Sequence, residues 1–236
     1  MQANAGRNFR ALILAVLAMS FAIGTRMVLK TRAATQAAQT TRGQQAKQAR
    51  SKNAATGAAA ASDTIKQLFD EDQKDRQGAM SFTPEQWKRM AARDMERRRA
   101  AHKLLDAGAL KTGGDFEDAS FIFQHGDTPQ DYLLAHILAM AAMEKGDAQA
   151  RWIAAATLDR YLQAIKEPQV FGTQYKWTAM KPNPHGATQS PYDKALVSDA
   201  LRKDFCVTTQ AGQQKNVEAM AVGKDFPSPD GCPEKQ

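Results

Sequence analysis

The chain has 236 residues, of which 32 are Lys or Arg and 25 are Asp or Glu, for a formal net charge of +7. Nine basic residues and no acidic ones lie in residues 1–62, which leaves 23 basic against 25 acidic residues in 63–236. Because a nucleic-acid-binding domain carries its own basic face, we expect no nucleic-acid partner. The sequence has no CxxC or Cys/His cluster of the kind that holds zinc, and we predict no metal or other cofactor.

The N-terminal segment, residues 1–29, has the pattern of an export signal. Arg7 and Arg10 precede the uncharged apolar run ALILAVLAMSFAIG at 11–24. This run is short for a membrane span, which needs about 20 residues, but it has the length of a signal-peptide core. The SFA triplet at 20–22 has small residues at the spacing of a cleavage site. The segment therefore predicts a signal peptide or a membrane anchor.

The fate of this segment leaves alternatives open. As an uncleaved anchor, residues 11–29 would span the membrane and tolerate Arg26 because its side chain can reach the interface. Seven basic residues follow the run within 25–62 and two precede it, and the positive-inside rule then favours a cytoplasmic C-terminal part. We expect an exported protein, periplasmic or anchored in the inner membrane and facing the periplasm. A membrane-anchored protein on the cytoplasmic face is the alternative.

Residues 30–62 form a low-complexity linker of Ala, Gln, Thr and Lys/Arg, with no large apolar residue after Leu29. Such a segment cannot bury enough surface to offset the entropy lost on ordering. We expect a disordered tether, with at most transient helix from its alanines. The folded helical domain is then expected over 63–236, with short helices near 198–205 and 213–221 and an irregular C-terminal tail.

The pattern from residue 63 onward predicts an all-α, irregular helical domain. Ser62 or Asp63 is placed to cap a helix that runs to about residue 77. The sequence TPEQ at 83–86 is a capping box with Pro at the first helical position, and it begins a second helix that ends at Gly108. The charged middle of that helix, MERRRAAHK at 95–103, indicates a solvated face or a basic patch for a partner.

A central antiparallel helix hairpin is expected next. After a short helix from Asp115 to His125-Gly126, the segment 129–144 is apolar nearly all round, which predicts a buried helix. The tight turn at 145–147 leads to a partner helix over 148–165, and so short a connection predicts antiparallel packing. The pair is similar to a tetratricopeptide-type hairpin. No second copy follows at the period of about 34 residues, so no solenoid is predicted.

Three polar residues are candidates for catalysis. His136 and Asp159 lie on the apolar faces of the two hairpin helices, and in a hairpin that turns near residue 146 they come within about one turn of each other. Because a buried charge needs a partner, a His136–Asp159 pair would act as a polarised imidazole, as base or ligand, or as a polar tie in the core. His125 is a further catalytic candidate, or only the C-terminal cap of its helix.

The stretch QVFGTQYKW at 169–177 follows the hairpin and is neither a helix face nor a strand. Gly172 permits a turn or a close backbone approach, while Gln169 and Gln174 either satisfy buried backbone groups or line a pocket. Arg160 either braces this loop by bonding its carbonyl groups or binds an anion. The candidate binding residues, which would form a polar pocket with the two imidazoles, are Asp115, Gln124, Arg160, Gln169, Gly172, Thr173 and Gln174.

Cys206 and Cys232 are the only cysteines of the chain. In an exported protein an even pair of this kind predicts a disulfide, here one that closes a loop near the C-terminus. Two unrelated free thiols are the alternative.

Six short motifs occur together in a fixed order. They are DEDQKDR at 70–76, D-x-x-x-A-x-x-x-x-QHG at 115–126, LAHILAMAAMEKGD at 134–147, LDR at 158–160, QVFGTQ at 169–174 and SDALR at 198–202. The set resembles an uncharacterised bacterial domain-of-unknown-function family whose members end a helix in DR and then carry Q-x-(F/Y)-G-T-Q. The resemblance covers about 63–230 and implies an all-helical domain, often exported or lipid-anchored, with no activity attached. No lipobox cysteine follows the apolar run, so a lipid anchor is not expected.

The expected function is an exported or membrane-tethered interaction module that holds an unknown protein or small-molecule partner. The sequence lacks a nucleophile elbow, an HExxH motif, a phosphate loop and the context of a catalytic cysteine. The alternative is a hydrolase-type enzyme that uses His125 or His136 with Asp159, and a small-ligand sensor is a third option. A solvent-open polar pocket would favour an enzyme or sensor, whereas sealed and satisfied polar ties would favour the module. The membrane is a partner if the N-terminal segment is uncleaved.

Overall fold

The computed structural model describes residues 41–78, 82–177 and 186–227, and within them the protein is mostly helical, as the all-α prediction required. The helices are α1 (41–75), α2 (Pro84–Asp106), α3 (Gly113–Phe123), α4 (Pro129–Glu144), α5 (Ala150–Ala164), α6 (Asp199–Asp204) and α7 (Gln210–Ala221). Two short antiparallel strands, β1 (Lys176–Trp177) and β2 (Ala187–Thr188), pair with Lys176 opposite Thr188. The chain divides into two compact units, Met1–Thr56 and Gly57–Gln236.

The predicted disordered tether is helical wherever it is described. Residues 41–75 are a helix, so the predicted helix start at Ser62 or Asp63 was wrong. Ala, Gln, Lys and Arg are strong helix formers, and a segment that buries nothing can still propagate a helix once a packed stretch nucleates it. The side chains over 41–57 are exposed or nearly so, and burial begins at Ala61.

The N-terminal apolar run at 11–24 and the rest of residues 1–40 lie outside the described residues. Among the helices that the structure does describe, none combines the length and the apolar character needed to cross a membrane.

Helices α2, α3 and α4 all begin with a threonine capping box. Thr83, Thr112 and Thr128 each accept a hydrogen bond from the backbone N–H three residues on, and that residue's side chain accepts one from the threonine N–H. Each such cap stabilises its helix by about 1 kcal/mol. The predicted starts of α2 and α4 are confirmed, whereas α3 begins at Gly113. Asp115 was predicted to begin α3 but is instead the third helical residue, because the cap precedes it.

The predicted hairpin is present, since α4 and α5 pack against each other and are joined only by residues 145–149. Alanines at the contact allow a close approach of the two helices. The prediction that α4 is buried all round was wrong, because Leu133, Ile137 and Met140 are 37%, 53% and 53% exposed. Helices α3 and α5 cover one side of α4 and leave this stripe to solvent. The residues that α4 buries are Ala135, Leu138, Ala139 and Ala142.

Among the described residues, the apolar core consists of three clusters along the chain. The first joins α1, α2, α3 and the start of α4 around Ile65 and Phe123, and the second fills the space between α4 and α5 around Ile153. The third packs the loop after α5 down onto that helix through Val170, Phe171, Val197 and Val207. This last cluster fixes the position of the QVFGTQ segment.

Candidate functional site

Asp159 is fully buried in α5, and its carboxylate binds the QVFGTQ loop rather than a histidine. One oxygen accepts from the backbone N–H groups of Val170 (2.8 Å) and Phe171 (2.9 Å). The other accepts from the backbone N–H (2.9 Å) and hydroxyl (2.8 Å) of Thr173. A carboxylate offers about four acceptor positions, so the loop takes all of them and leaves none for proton transfer.

Gln169 and Gln174 are bonded within the same loop. The Gln169 side chain accepts from the Gln174 N–H and donates to the Gln174 carbonyl, both at 2.9 Å, and it also donates to the Gln189 carbonyl. The Gln174 side chain donates to the carbonyl of Ala156 (3.2 Å) and to the hydroxyl of Thr173 (3.0 Å). These amides satisfy buried backbone groups, which is the role expected of polar side chains in a sealed region.

Gly172 has a structural requirement that only glycine meets. Its φ is +85°, in the left-handed region that L-residues with side chains disfavour. A Cβ at this position would lie 2.2 Å from Gln213 Oε1 and 2.6 Å from the Tyr192 hydroxyl oxygen. The Tyr192 hydroxyl donates to the Phe171 carbonyl, and the Gln213 amide donates to the same carbonyl through Nε2. These bonds to the loop bring both side chains against the glycine.

Arg202, and not Arg160, braces the loop carbonyl groups. Arg202 is fully buried, and its Nε donates to the Phe171 carbonyl at 3.1 Å. The Gln213 side-chain amide (2.8 Å) and the Tyr192 hydroxyl (3.1 Å) donate to that same carbonyl. We call this network the loop clasp; around the loop at 169–174 it comprises Asp159, Gln169, Gln174, Gln189, Tyr192, Arg202 and Gln213.

The predicted His136–Asp159 pair does not form. His136 Nδ1 lies 2.9 Å from the carbonyl oxygen of Ala154, so this nitrogen carries a proton and donates it. Both residues face the hairpin interior as predicted. The carboxylate of Asp159 nevertheless turns to the loop, because the loop offers it four hydrogen-bond donors whereas an imidazole N–H would offer one.

Asp115 and Gln124, both buried, lie apart from the loop clasp and serve the two ends of α3. The Asp115 carboxylate accepts from the N–H groups of Lys111 (2.7 Å) and Thr112 (3.0 Å) and from the Ser62 hydroxyl. Burial by itself would raise the pKa of Asp115, but these hydrogen bonds, led by the one from Ser62, hold that pKa below its ordinary value. Asp115 therefore completes the capping box at the start of α3.

An open cleft of about 390 Å³ is lined by Arg76 directly after α1 and by residues of α2, α5 and the segment after α3. Of the candidate residues predicted from the sequence, only His125 and Arg160 line it. In the part of the chain that the structure describes, the lining is Arg76, Trp87, Met90, Ala91, Asp94, His125, Gly126 and Arg160. We call this surface the charged cleft.

Two lining residues of the charged cleft, Arg76 and Asp94, belong to a cluster of ion pairs. Arg76 bonds Asp72 at 2.8 Å and Asp94 at 2.9 Å, and Arg97 bonds Asp75 at 2.7 Å and Asp94 at 2.5 Å. Three guanidinium groups and three carboxylates balance in charge, and they are Arg76, Arg93, Arg97, Asp72, Asp75 and Asp94.

The charged stretch at 95–103 was predicted to be either a solvated face or a basic patch for a partner. The first prediction does not hold for two of its arginines. Arg97 and Arg98 are buried. Arg98 donates to the carbonyl of His125 at 2.7 Å and pairs with Asp127 at 2.6 Å. The reason is that α1 and the end of α3 supply carboxylate and carbonyl acceptors, so these arginines tie helices together.

His125 pairs with a carboxylate that the sequence argument did not select. Its Nδ1 lies 3.1 Å from Asp72 Oδ2. Burial lowers the pKa of His125, although the hydrogen bond and the charge of Asp72 oppose this effect. The neutral ring then donates its Nδ1–H to Asp72 and leaves Nε2 as an acceptor. The only sequence signal for this role of Asp72 was its spacing of four residues from Arg76, a helical ion-pair spacing.

Arg160 is the cation of the charged cleft that remains unmatched. Its buried Nε has no hydrogen-bond partner, and no described carboxylate forms an ion pair with it. The guanidinium carbon lies 6.0 Å from the centre of the Tyr132 ring. Burial lowers the pKa of Arg160; Tyr132 opposes this effect and the positive charge of Arg76 adds to it. The side chain of Arg160 is partly buried, and a cation that is partly removed from water is stabilised by an anionic partner.

A separate acidic group lies on α3. Burial, with the nearby Asp147, raises the pKa of Glu117 to about 7, and burial raises that of Asp118 to about 6. Across residues 41–78, 82–177 and 186–227, no three His, Cys, Asp or Glu residues are placed to hold a metal ion. Cys206 is disulfide-bonded, while Cys232 lies outside the described residues and the pairing of the two stays a prediction.

No family model, no curated protein and no solved structure matches this chain. The resemblance to the family with QHG, DR and Q-x-(F/Y)-G-T-Q motifs therefore stays a prediction. Within the structure, Asp159 of the DR motif belongs to the loop clasp around the segment 169–174, whereas Arg160 of the same motif and His125 of the QHG motif line the charged cleft.

Proposed function

We propose that this protein is an exported or membrane-tethered helical binding module whose ligand site is the charged cleft. The observation that carries the proposal is the division of the polar residues. Those of the loop clasp are sealed and bonded to one another, and those of the cleft face solvent and include an unmatched cation, Arg160.

Two of the three catalytic candidates are committed to structure. Asp159 uses its four acceptor positions on the loop, and His136 donates to a backbone carbonyl. Freeing either group for proton transfer would leave buried backbone groups without partners, which costs about 1–3 kcal/mol for each group. This cost favours binding over catalysis for the hairpin.

The charged cleft has the size and composition of a binding site. Its volume of about 390 Å³ falls in the range of about 300–1,000 Å³ that is usual for ligand pockets. Trp87 is 47% exposed at the cleft, and it stands with Met90 and Ala91 on a wall that also carries charge. Tryptophan and arginine are the residue types that most often dominate binding energy.

A fragment screen by NMR on the full chain tests the proposal. We expect small aromatic fragments to shift resonances of the cleft residues, and we expect Trp87→Ala to weaken this binding. The matched control is Leu196→Ala, because Leu196 is 67% exposed and does not line the cleft. Fragments that spread over the whole surface, or that bind the Trp87→Ala variant equally well, would contradict the proposal.

The exported or tethered location is proposed on the sequence of residues 1–62 alone. Two features support it, the apolar run at 11–24 and the basic, acid-free composition of the whole segment. Protease accessibility of the C-terminal part in intact and permeabilised cells tests the orientation. Digestion only after permeabilisation of the inner membrane would contradict export.

A hydrolase is the second candidate, because the His125–Asp72 pair lies at an open cleft beside Arg160. In such an enzyme His125 Nε2 would take a proton from an attacking water, and Arg160 would stabilise the negative charge of the transition state. p-Nitrophenyl acetate and p-nitrophenyl phosphate are suitable probes. Hydrolysis that falls about 100-fold or more in His125→Gln would favour this candidate, and equal background rates in both proteins would exclude it for these substrates.

A further inference from the structure

The ion pairs around the cleft leave one positive charge, that of Arg160, without a carboxylate partner. Helices α1 and α2, with Arg76 directly after α1, contribute three cations and three carboxylates that pair with one another, and Arg98 pairs with Asp127. Asp94, the one carboxylate lining the cleft, is already bonded by Arg76 and Arg97. Arg160 adds a charge that none of these carboxylates neutralises.

The contact with Tyr132 does not account for Arg160. At 6.0 Å from the ring centre, the guanidinium is at the outer limit of about 6 Å for a cation–π interaction. This contact also uses none of the five N–H donors of the guanidinium. The Tyr132 hydroxyl itself donates elsewhere, to the Gly126 carbonyl at 2.8 Å.

We infer that Arg160 is the anchor for an oxyanion, a carboxylate or a phosphate monoester, on a ligand whose apolar part rests against Trp87. The inference rests on the proposed function of the charged cleft as a binding site and names the ligand class. A guanidinium offers a planar fork of donors that matches both kinds of oxyanion. Arg76 lies close enough to Arg160 for their charges to interact, and a bound anion would relieve that repulsion.

The apolar part of the ligand follows from the rest of the lining. Trp87, Met90 and Ala91 offer no strong acceptor or charge to a ligand, so this wall suits an aromatic or aliphatic body. Benzoate and phenyl phosphate combine such a body with each oxyanion. Benzamide is the neutral analogue of the same shape as benzoate.

The test titrates benzoate, phenyl phosphate and benzamide into the full chain, by calorimetry and by NMR of the arginine Nε–H groups. The variants are Arg160→Gln, which removes the charge, and Arg160→Lys, which keeps the charge but loses the fork. Arg151→Gln is the matched control, because Arg151 is on the same helix, bonds the Ala148 carbonyl and does not line the cleft.

We expect at least one anion to bind in the millimolar range or tighter, with a shift of the Arg160 Nε–H resonance. Affinity should fall about tenfold or more in Arg160→Gln, fall less in Arg160→Lys, and stay unchanged in Arg151→Gln. Binding of phenyl phosphate alone assigns the ligand to phosphate monoesters, and binding of benzoate alone assigns it to carboxylates.

Two results would overturn the inference in different ways. If benzamide binds as tightly as the anions, or if Arg160→Gln binds them unchanged, the anion site is refuted while the cleft stands as a binding site. If none of the three probes binds, the anion inference and the proposed function both fail.

Discussion

Asp159 and Arg160 are adjacent in sequence and belong to two different polar networks. Successive residues of a helix point about 100° apart, so α5 directs Asp159 into the loop clasp and Arg160 into the charged cleft. In the clasp the carboxylate receives four hydrogen bonds. In the cleft the guanidinium has no described hydrogen-bond partner. In the first network the protein itself supplies every hydrogen-bond partner of Asp159, whereas in the second Arg160 has no such partner among the described residues.

The difference separates polar residues that hold the fold from those available to a ligand. A sealed network in which each member is bonded stabilises one conformation. A partly buried cation beside an open cleft contributes little to stability and retains its donors for another molecule. The following predictions test this contrast from its largest expected effect to its smallest.

Asp159→Asn should be the most damaging change. The substitution keeps the volume of the side chain but turns an acceptor into an N–H₂ donor that faces the N–H groups of the loop. We expect the free energy of unfolding in urea to fall by about 3 kcal/mol or more. Asp204→Asn, at an exposed position of α6, is the control and should change this free energy by less than about 0.5 kcal/mol. Similar values for the two variants would show that the clasp does not hold the fold.

Gly172→Ala should destabilise by about 2–4 kcal/mol, from backbone strain and from overlap with Gln213 and Tyr192. Gly146→Ala separates these causes, because its φ of +87° is nearly the same and a Cβ there meets nothing within 4 Å. It should cost only about 1–2 kcal/mol. Thermal unfolding of both variants provides the comparison. Equal losses of stability would mean that Gln213 and Tyr192 move away from the added Cβ at little cost.

His125→Gln should alter how stability depends on pH. Because burial lowers the pKa of His125 below 6.5 in the folded state, the unfolded chain takes up a proton first as the pH falls. The stability that the neutral imidazole provides is therefore complete above pH 6.5 and is lost as the pH drops through the folded pKa.

The measurement is the difference in unfolding free energy between pH 7.5 and pH 5.5, compared between wild type and His125→Gln. We expect the loss on acidification to be smaller in the variant. The loss in the variant must be compared with the loss in wild type, because Glu117 also titrates near pH 7 and changes the stability of both proteins in the opposite direction. A larger loss in the variant would mean that His125 is charged in the folded protein.

Arg160→Gln should have the smallest effect on stability, within about 0.5 kcal/mol of wild type, because Arg160 makes no hydrogen bond that would be lost. Arg202→Gln is the contrasting variant, since Arg202 is fully buried and donates to the loop carbonyls, and it should lose about 3 kcal/mol. Urea unfolding measures both. A large loss in Arg160→Gln would place Arg160 among the structural residues and remove the contrast.

Local signals predicted the helices well where caps were present. The Thr-Pro pairs at 83–84 and 128–129 identified the starts of α2 and α4, because capping depends on residues three apart. The prediction from composition was wrong for α1. It took a segment without large apolar residues to be disordered and did not consider that its residues have a high helix propensity. The exposed stripe on α4 was missed because an apolar pattern does not reveal how many neighbours cover it.

The site was predicted less well, because its contacts join distant residues. The loop was recognised at 169–174, but its partners Arg202 and Gln213 follow by tens of residues, and no local pattern connects them. For His125, the carboxylate at Asp72 lies 53 residues earlier. Helical spacing placed Asp159 on an inward face correctly, but spacing cannot show which of several donors a buried carboxylate will bind.

The loop clasp has a consequence for hydrogen exchange. The amides of Val170, Phe171, Thr173 and Gln174 donate to the side chains of Asp159 and Gln169 instead of to a backbone ladder. In deuterated water these amides should retain their protons as long as those in the middle of α5, because exchange requires the whole clasp to open. A segment without regular secondary structure would then be among the slowest-exchanging parts of the molecule.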